Sequence, residues 1–270
     1  MWRRMNGEEL IKSLASSAHR REILFSLMDS PKPLRDLQSI VNASPSVLAH
    51  ALSYLEEENL VEREKGTRSW RLTNTGLIAA KVLKSAMEAF HVLEKFEDFW
   101  LEHEVSWLDD ELIFHLGKLK NTELFAYDGI NYPHVKYVDE IRNARWLKGV
   151  SGMVLKDYMD VYPELVEKGV EIELILSEEV LDYVRGLLRE SFGVTLGEYL
   201  DAHPNVRVFK LDFKPSVAFT VTDTYFSLGC FTVEGIYDLN TDIMGWDEDS
   251  VSFGLMLFER YRSRAKEVRE

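Results

Sequence analysis

The sequence has 270 residues, of which 46% are hydrophobic and 29% charged, and its formal net charge at pH 7 is −14. These proportions are typical of a soluble globular protein and exclude a disordered or collagen-like chain. The length predicts about two domains. Because no apolar run is long enough to span a bilayer and a lone cysteine, Cys230, cannot form an intrachain disulfide, we expect a cytoplasmic protein without a signal peptide or membrane contact.

The charge is unevenly divided along the chain. Residues 1–84 carry a net charge of +3, whereas residues 85–270 carry −17. Only four of the 31 Phe, Trp and Tyr residues fall in the first segment. This asymmetry predicts two modules with different partners, of which the small basic module is the candidate for binding a polyanion.

The basic module begins with helical patterns. Apolar residues recur at helical spacing over residues 8–16, 19–29 and 35–41. Ser44-Pro45 then predicts the start of a further helix that runs to about Glu58, because serine caps an orphan amide and proline loses no hydrogen bond at the first helical position.

Two alternating segments, residues 60–64 and 68–72, follow this helix and are joined by Lys65-Gly66-Thr67. The pattern predicts a β-hairpin. Helices with a short turn before the last one, followed by a hairpin with cations at its tip, are the order of elements in a winged helix-turn-helix. We therefore expect double-stranded DNA as a partner.

The predicted DNA contacts fall into two groups. Small polar residues on the outward face of the helix that starts at Pro45 are expected near base edges in the major groove: Ser46, Ala49, His50 and Ser53. A capping serine and four cations are expected to hold flanking phosphates without choosing sequence: Ser44, Arg20, Arg21, Lys65 and Arg68. The alternative is a winged helix that serves only as a protein-interaction module.

The segment SPSVLAHALSYLEEENLVEREKGTRSWRLTNTG resembles the recognition-helix-to-wing segment of archaeal and bacterial winged-helix regulators. The resemblance includes the "Leu-Glu … Leu-Val" and "Leu-Thr … Gly" residue patterns and covers about the first third of the chain. It implies the same DNA-binding role for this module.

A long periodic run begins after Thr73. Its first apolar row has spacings that alternate between three and four residues, and a second row widens the surface beyond what one packing partner needs. The two rows are Ile78, Val82, Ala86, Ala89, Leu93, Phe96 and Trp100, then Leu83, Met87, Phe90 and Phe99. We expect a linker helix over residues 76–103 that pairs two chains into a homodimer. The alternative is that the chain's own C-terminal domain covers both rows.

Beyond Trp100 the pattern alternates between strands and helices. The strands are expected in the segments TELFAY, WLKGVSGMV, VEIELIL, NVRVFKL, SVAFTVTD and YFSLGCFTVEG, with helices near residues 110–117, 135–145, 157–168, 178–190, 194–202 and 249–267. This order predicts an α/β domain, and its consecutive late strands predict a mixed sheet.

This module carries a second resemblance, to the archaeal winged-helix regulators typified by the methanogen filamentation regulator. The residues that carry it are Phe99-Trp100 with His103, Leu116-Gly117-Lys118-Leu119, Pro163-Glu164-Leu165 through Gly169-Val170-Glu171, and Val221-Thr222-Asp223 through Gly235-Ile236-Tyr237-Asp238. Leu108-Asp109 and Phe253-Gly254 depart from the family pattern. The resemblance implies an effector domain that follows the long helix.

The segment from Pro163 to Leu174 is also similar to phospholipase D-like halves, which raises an enzyme alternative. Those enzymes share a His-x-Lys-x4-Asp motif in which histidine attacks phosphorus and lysine holds the phosphate. Here His134 and Lys136 supply the first two residues, but Ile141 stands at the aspartate position and Asp139 is two residues early. We therefore expect a catalytically empty version of that fold, with no enzymatic activity.

The sequence contains no motif for binding a metal ion or a nucleotide. The segments 102–104 and 109–111 hold carboxylates and a histidine without the spacing of a zinc site, and no phosphate-binding or dinucleotide-binding glycine motif occurs. We expect no metal and no cofactor.

Together these patterns predict a DNA-binding transcriptional regulator with three parts. Residues 1–75 form an α+β winged helix-turn-helix, residues 76–103 a linker and dimerisation helix, and residues 104–270 an effector-sensing α/β domain. A small-molecule effector is expected to contact aromatic and acidic residues at strand ends or in loops, namely Trp146, Tyr158, Asp223, Tyr237, Asp238 and Trp246. A phosphodiesterase and a protein-interaction adaptor remain the alternatives.

Overall fold

The computed structural model describes residues 6–126, 132–154 and 161–269. The chain divides into two compact units, Met1–Met87 and Glu88–Glu270. The boundary falls inside one continuous helix, so each unit takes part of it.

The first unit contains four short helices and three short strands, and ends in the first part of a long helix. Strand β1 was not predicted, and it pairs antiparallel with β3, which in turn pairs antiparallel with β2. The elements are α1 (Gly7–Ser16), α2 (Ala18–Ser26), β1 (Lys32–Pro33), α3 (Leu34–Val41), α4 (Pro45–Glu57), β2 (Val61–Arg63), β3 (Ser69–Leu72) and α5 (Asn74–Lys95).

Local sequence signals account for these helices. The side chains of Asn6, Ser17 and Ser44 each accept a hydrogen bond from a backbone amide in the first turn of α1, α2 and α4. The apolar faces of the helices meet in one core, in which Leu24 and Leu55 are fully buried. Each such side chain contributes about 1.5–3 kcal/mol to folding.

The long helix ends earlier than predicted. A single run was expected as far as residue 103, but α5 stops at Lys95, and Phe96 adopts φ −121° and ψ 37° before a separate helix begins. The carbonyl of Val92 accepts hydrogen bonds from both the Phe96 amide and the Trp100 indole, each at 3.2 Å. The Trp100 side chain therefore bonds to the same carbonyl as the Phe96 amide, at the point where α5 ends.

The second unit begins with the last part of α5 and contains seven further helices and eight strands in the described residues. In chain order these elements are α6 (Glu97–Glu102), α7 (Asp110–Phe114), a 3-10 turn (Leu116–Leu119), β4 (Glu123–Ala126), α8 (Tyr132–Ile141), β5 (Trp146–Ser151), α9 (Val161–Glu167), β6 (Glu171–Ser177), α10 (Glu178–Phe192), α11 (Leu196–Ala202), β7 (Val206–Leu211), β8 (Val217–Thr222), β9 (Phe226–Cys230), β10 (Thr241–Gly245), α12 (Glu248–Arg262) and β11 (Lys266–Glu267).

The strands form one eight-stranded mixed sheet in the order β11-β7-β6-β5-β8-β9-β10-β4. The neighbours β5, β6 and β7 run parallel and the other pairs are antiparallel, which confirms the predicted mixed sheet. Residues of β6 enter two apolar cores on opposite faces of the sheet: Ile175 belongs to one and Ile172 to the other. The first core includes residues of α12, and the second includes residues of α9, α10 and α11.

Two C-terminal predictions were wrong in detail. The last helix ends at Arg262 instead of continuing to residue 267, and Lys266–Glu267 pairs with β7 as an edge strand. Strand β10 was not predicted, since a five-residue segment with an aspartate and a terminal glycine lacks the alternation of a typical strand. Both strands are defined by backbone pairing with distant segments.

Candidate functional site

The outward face of α4 presents small polar side chains. Ser44 caps the helix by accepting a hydrogen bond from the Val47 amide at 3.4 Å, and its hydroxyl lies 3.1 Å from that of Ser46. Four residues, which we call the α4 face, are exposed: Ser46, Ala49, His50 and Ser53. The opposite face of the helix is buried in the core of the unit. This division means that residues of the α4 face can be changed without disturbing the core.

The tip of the β2–β3 hairpin carries two exposed cations, Lys65 and Arg68. Among the described residues neither forms an ion pair or a side-chain hydrogen bond. In contrast, Arg71 pairs with Glu62 and the Arg63 guanidinium lies 4.6 Å from the centroid of the Trp70 ring. Gly66 between the two cations has φ +79°, a conformation that favours glycine and closes the tip.

Arg20 and Arg21, predicted to hold phosphate, both have partners within the first unit. The Arg20 guanidinium stacks 3.8 Å from the centroid of the Tyr54 ring and donates to the Ser13 hydroxyl. Arg21 donates to the carbonyl of Leu14 at 3.1 Å, at the C-terminal end of α1. Both arginines are half-buried, so they contribute to packing as well as to charge.

The long helix α5 exposes an apolar row. Ile78 and Val82 are each 65% exposed and Phe90 is 70% exposed, with Leu93 and Ala86 exposed on the same side. Isolated exposed apolar residues are ordinary on a protein surface, whereas these residues form one continuous row along the helix.

The second unit contains a partly open cavity of about 180 Å³ between one face of the sheet and helices α9, α10 and α11. Its walls are predominantly aliphatic, with contributions from Leu174, Val208, Val184, Leu188 and Leu200. A concave, mostly apolar cavity with a few polar groups is the usual form of a small-molecule site.

Polar groups gather where the cavity meets β8, β9 and β10. The Tyr137 hydroxyl lies 3.0 Å from the Thr220 hydroxyl and 3.3 Å from that of Tyr162. Burial raises the pKa of Tyr137, so its hydroxyl stays protonated at neutral pH. Ser227 and Asp242 line the same region.

The most unusual group in the cavity is the carboxyl of Asp242. Burial, followed by the nearby charge of Asp238, raises its pKa from 3.8 to about 7. Gly229 leaves room for it, because a Cβ at that position would collide with the Asp242 carboxylate and the Tyr237 hydroxyl. Among the described residues none forms a hydrogen bond with this carboxylate.

Of the six residues expected to contact an effector, Tyr237 lines the cavity. Tyr158 lies outside the described residues. The other four are not part of the lining: Trp146 begins β5, Trp246 contacts the rings of Phe125 and Tyr225, and Asp223 and Asp238 are bonded elsewhere.

Both of those aspartates have structural partners. Asp223 accepts hydrogen bonds from the backbone and guanidinium of Arg145, at 3.0 and 2.8 Å. Asp238 accepts from the buried His103 ring at 3.2 Å, from the Asn240 amide at 2.8 Å and from Thr241. Burial alone would raise the pKa of each carboxyl, but these hydrogen bonds lower the pKa below its usual value.

Sequence reasoning missed Asp242, Tyr137 and Thr220. The signal for Asp242 was a carboxylate beside the apolar pair Ile243-Met244, in a segment that had not been predicted as a strand. Tyr137 and Thr220 lie 83 positions apart, and only the tertiary fold brings their hydroxyls together.

The phosphodiesterase alternative depends on His134 and Lys136. Lys136, from the incomplete His-x-Lys-x4-Asp segment, pairs with Glu140 at 2.6 Å, and its ammonium lies 5.3 Å from the centroid of the Trp246 ring. The side chain of His134 lies outside the described residues. No group of three or more His, Cys, Asp or Glu residues there is arranged to hold a metal, and no helix there is both long and apolar enough to cross a membrane.

The fold therefore defines an α+β protein in which a helical unit with a hairpin precedes a unit built on a mixed sheet. Two family models match it: residues 8–91 match "Methanogenesis regulatory protein FilR1, N-terminal domain" and residues 130–264 match "Methanogenesis regulatory protein FilR1, middle domain". The chain belongs to the FilR1 family, as the sequence resemblance implied.

One relative is the methanogenesis regulatory protein FilR1 of Methanothrix harundinacea (strain 6Ac). It is 26% identical over 266 residues, which cover 96% of this chain but 58% of the relative. The chain thus spans little more than half the length of that regulator.

Similar solved structures include TrmBL2, an archaeal chromatin protein, with 15% identity, a TM-score of 0.42 and coverage of 97% of this chain and 100% of that chain. Phosphatidylserine synthase of Haemophilus influenzae Rd KW20 has 12% identity, a TM-score of 0.38 and coverage of 55% and 40%. Neither score is high enough to carry a functional argument.

Proposed function

We propose that this protein is a DNA-binding transcriptional regulator whose second unit senses a small molecule. Residues 1–75 act as a winged helix-turn-helix, residues 76–103 link and dimerise, and residues 104–270 sense the effector. Membership of a family named for a regulatory protein supports this assignment.

The observation that carries the proposal is the exposed α4 face beside the cationic hairpin tip. The four side chains of the α4 face are small enough to let the helix backbone approach base edges, and Ser46, His50 and Ser53 can donate or accept hydrogen bonds there. Lys65 and Arg68 have no internal ion pairs among the described residues, so they are available to phosphates.

The distribution of charge also supports DNA binding by the first unit. A duplex is attracted to the segment with net charge +3 and repelled by the segment with net charge −17. DNA is therefore expected to approach the first unit and to avoid the second. The internal partners of Arg20 and Arg21 make them weaker candidates for phosphate contact than Lys65 and Arg68.

The exposed row of α5 supports homodimerisation. Two-fold pairing along Ile78, Val82 and Phe90 would remove a continuous apolar strip from water and hold two copies of α4 at a fixed separation, as a palindromic operator requires. Val82→Lys and Phe90→Glu are expected to shift the protein from dimer to monomer in sedimentation equilibrium. Exposed Lys81, on the same helix, supplies the control variant Lys81→Ala, which should remain dimeric.

Effector control requires that the ligand bind two dimer geometries with different affinity. The cavity of the second unit is the proposed sensor. Ligand binding there would bias the pairing of α5 and hence the spacing of the two α4 helices. If saturation of the cavity leaves operator affinity unchanged, this part of the proposal is wrong.

The experiment that tests DNA binding is selection of genomic fragments by the purified full chain at low ionic strength. Replacing both Lys65 and Arg68 with alanine is expected to weaken binding to all selected fragments by a similar factor, because phosphate contacts carry no sequence information. Replacing His50 and Ser53 with alanine should change which sequences are selected, since these residues are proposed to read base edges.

The matched control is the double variant Lys168→Ala and Lys266→Ala. Both lysines are exposed cations of the second unit, and each is paired with one carboxylate. The control alters the net charge as much as the hairpin variant does. If both double variants weaken DNA binding equally, overall charge and not the hairpin tip is responsible, and the proposed orientation is wrong.

A further inference from the structure

Three aspartates near the end of the sheet have very different surroundings. Asp223 and Asp238 each accept hydrogen bonds from several donors, whereas the Asp242 carboxylate has none among the described residues. Enclosed carboxylates in proteins are nearly always paired, because an unpaired charge loses its hydration without compensation. The exception at Asp242 needs a physical explanation.

The position of Asp242 supplies one. Its side chain is partly accessible, and the space it faces is the cavity between the sheet and α9, α10 and α11. Gly229 on the adjacent strand leaves room for the Asp242 carboxylate and the Tyr237 hydroxyl at the edge of that space, since a Cβ there would collide with both. The carboxylate is thus withdrawn from bulk water but remains accessible to a molecule inside the cavity.

The rest of the cavity restricts what this molecule can be. The walls opposite the polar region are aliphatic, from Val184, Leu187 and Leu188 on α10 and Leu200 on α11. A cavity of about 150 Å³ holds benzene, so the 180 Å³ available here accommodates one ring or a short alkyl chain with a small polar head.

The sign of the head group follows from the local charges. The described residues that line the cavity include no lysine or arginine, and Asp238 adds a second negative charge near Asp242. An anionic head would be repelled there, whereas a cationic head would neutralise the carboxylate in a low-dielectric site. A neutral hydroxyl would gain one hydrogen bond without relieving the charge.

We propose that the cavity binds a small organic cation, with a short apolar body and one protonated amine whose ammonium group pairs with Asp242. The hydroxyls of Tyr137, Thr220 and Ser227 lie in the same polar region and can accept the remaining N–H groups. This inference deepens the proposed function by giving the effector a chemical class, and it rests on that proposal only for the regulatory consequence.

The test compares three probes of nearly equal size and different charge: hexylamine, 1-hexanol and hexanoate. Binding of each to the full-length chain is measured by isothermal titration calorimetry at pH 8. Hexylamine is expected to bind at least about tenfold more tightly than hexanol, and hexanoate should not bind measurably. Tight binding of hexanoate, or equal binding of the amine and the alcohol, would overturn the inference.

Two variants locate the site. Asp242→Asn should reduce hexylamine affinity about tenfold or more while changing hexanol affinity less than about threefold, because only the charged pair is lost. The control Asp223→Asn removes a carboxylate that faces Arg145 and should leave both affinities unchanged. Val184→Phe fills the aliphatic wall and should weaken both probes. Hexylamine binding that survives Asp242→Asn would place the amine elsewhere and contradict the proposal.

The pH dependence gives an independent readout. Among the described residues, the groups that interact electrostatically with Asp242 are Asp238, Tyr137, Tyr225 and Cys230. Burial raises the pKas of Cys230 and both tyrosines, and hydrogen bonds keep the pKa of Asp238 low, so Asp242 is the member of this group that titrates near pH 7. An alkyl ammonium has a pKa of about 10 and stays charged. Hexylamine affinity should therefore fall when the pH is lowered from 8 to 5 and should show no such fall in Asp242→Asn.

The regulatory consequence is measured separately, as DNA affinity with and without saturating hexylamine. A change supports both the ligand class and the effector role. Amine binding with unchanged DNA affinity supports the cation site and contradicts the effector part of the proposed function. Failure of amine binding overturns the cation site whether or not the protein binds DNA.

Discussion

The hairpin tip and the cavity place charge in opposite environments. Lys65 and Arg68 are exposed to water, where salt and hydration weaken every interaction they make. Asp242 faces a partly open, largely aliphatic cavity, and burial is the main reason that its pKa rises to about 7. This difference means that the cations at the hairpin tip act together and at long range. A single carboxylate in the cavity, by contrast, can decide which ligand binds.

The largest expected effect comes from the buried face of α4. Leu52→Ala should lower the free energy of unfolding by about 2–5 kcal/mol, since it leaves a cavity in the core of the first unit. Ala49→Ser, on the exposed α4 face, should change it by less than about 0.5 kcal/mol. Chemical denaturation followed by circular dichroism measures both. Equal effects would mean that the two faces of α4 are not distinct.

Replacing Asp242 with asparagine is expected to raise the free energy of unfolding, by less than the loss expected for Leu52→Ala. Its folded-state pKa of about 7 exceeds the ordinary 3.8, so the folded state binds this proton more tightly than the unfolded state does. The stability from the protonated carboxyl is present at low pH and is lost as the pH rises through 7. Asp242→Asn avoids that loss and should be more stable than the wild type above pH 7, by about 1–3 kcal/mol.

The measurement is the difference in free energy of unfolding between Asp242→Asn and the wild type from pH 4 to pH 8. The difference should grow over this range and level off above pH 7. Comparing the variant with the wild type at each pH removes contributions from groups that titrate identically in both. A difference that is constant with pH would contradict the raised pKa of Asp242.

The smallest effect is expected at an exposed ion pair of the second unit. Lys168→Ala removes the pairing with Glu164, in which the two groups lie four positions apart on the chain at 2.6 Å. Solvent-exposed pairs of this kind contribute little to the free energy of unfolding, and salt screens them. The loss should therefore nearly vanish at 1 M NaCl in denaturation experiments. A loss that persists at high salt would show that this surface pair behaves like an enclosed charge.

The two regions also differ in how far the sequence predicted them. The start of α4 was predicted because Ser44 and Pro45 act on the first turn of their own helix. The hairpin was predicted for the same reason, since Gly66 and the flanking alternation are local. Signals that act within a few residues of their cause are visible in one sequence.

Apart from Tyr237, the polar residues of the cavity were not predicted, because strand pairing brings them together. Asp242 and Thr220 lie on different strands of the sheet, separated by β9, while Tyr137 comes from a helix. The break in the long helix at Phe96 was missed for a related reason. The interaction of Trp100 with the Val92 carbonyl is invisible in a pattern of apolar spacings.

The most direct test of the account is the salt dependence of DNA binding by the full chain. The logarithm of the association constant should fall linearly with the logarithm of salt concentration, and the slope should decrease in magnitude by about 2 when Lys65 and Arg68 are both replaced by alanine. The Lys168 and Lys266 double variant should keep the wild-type slope. Absence of binding to any duplex at low salt, or an unchanged slope in the hairpin variant, would contradict the proposed role of the first unit.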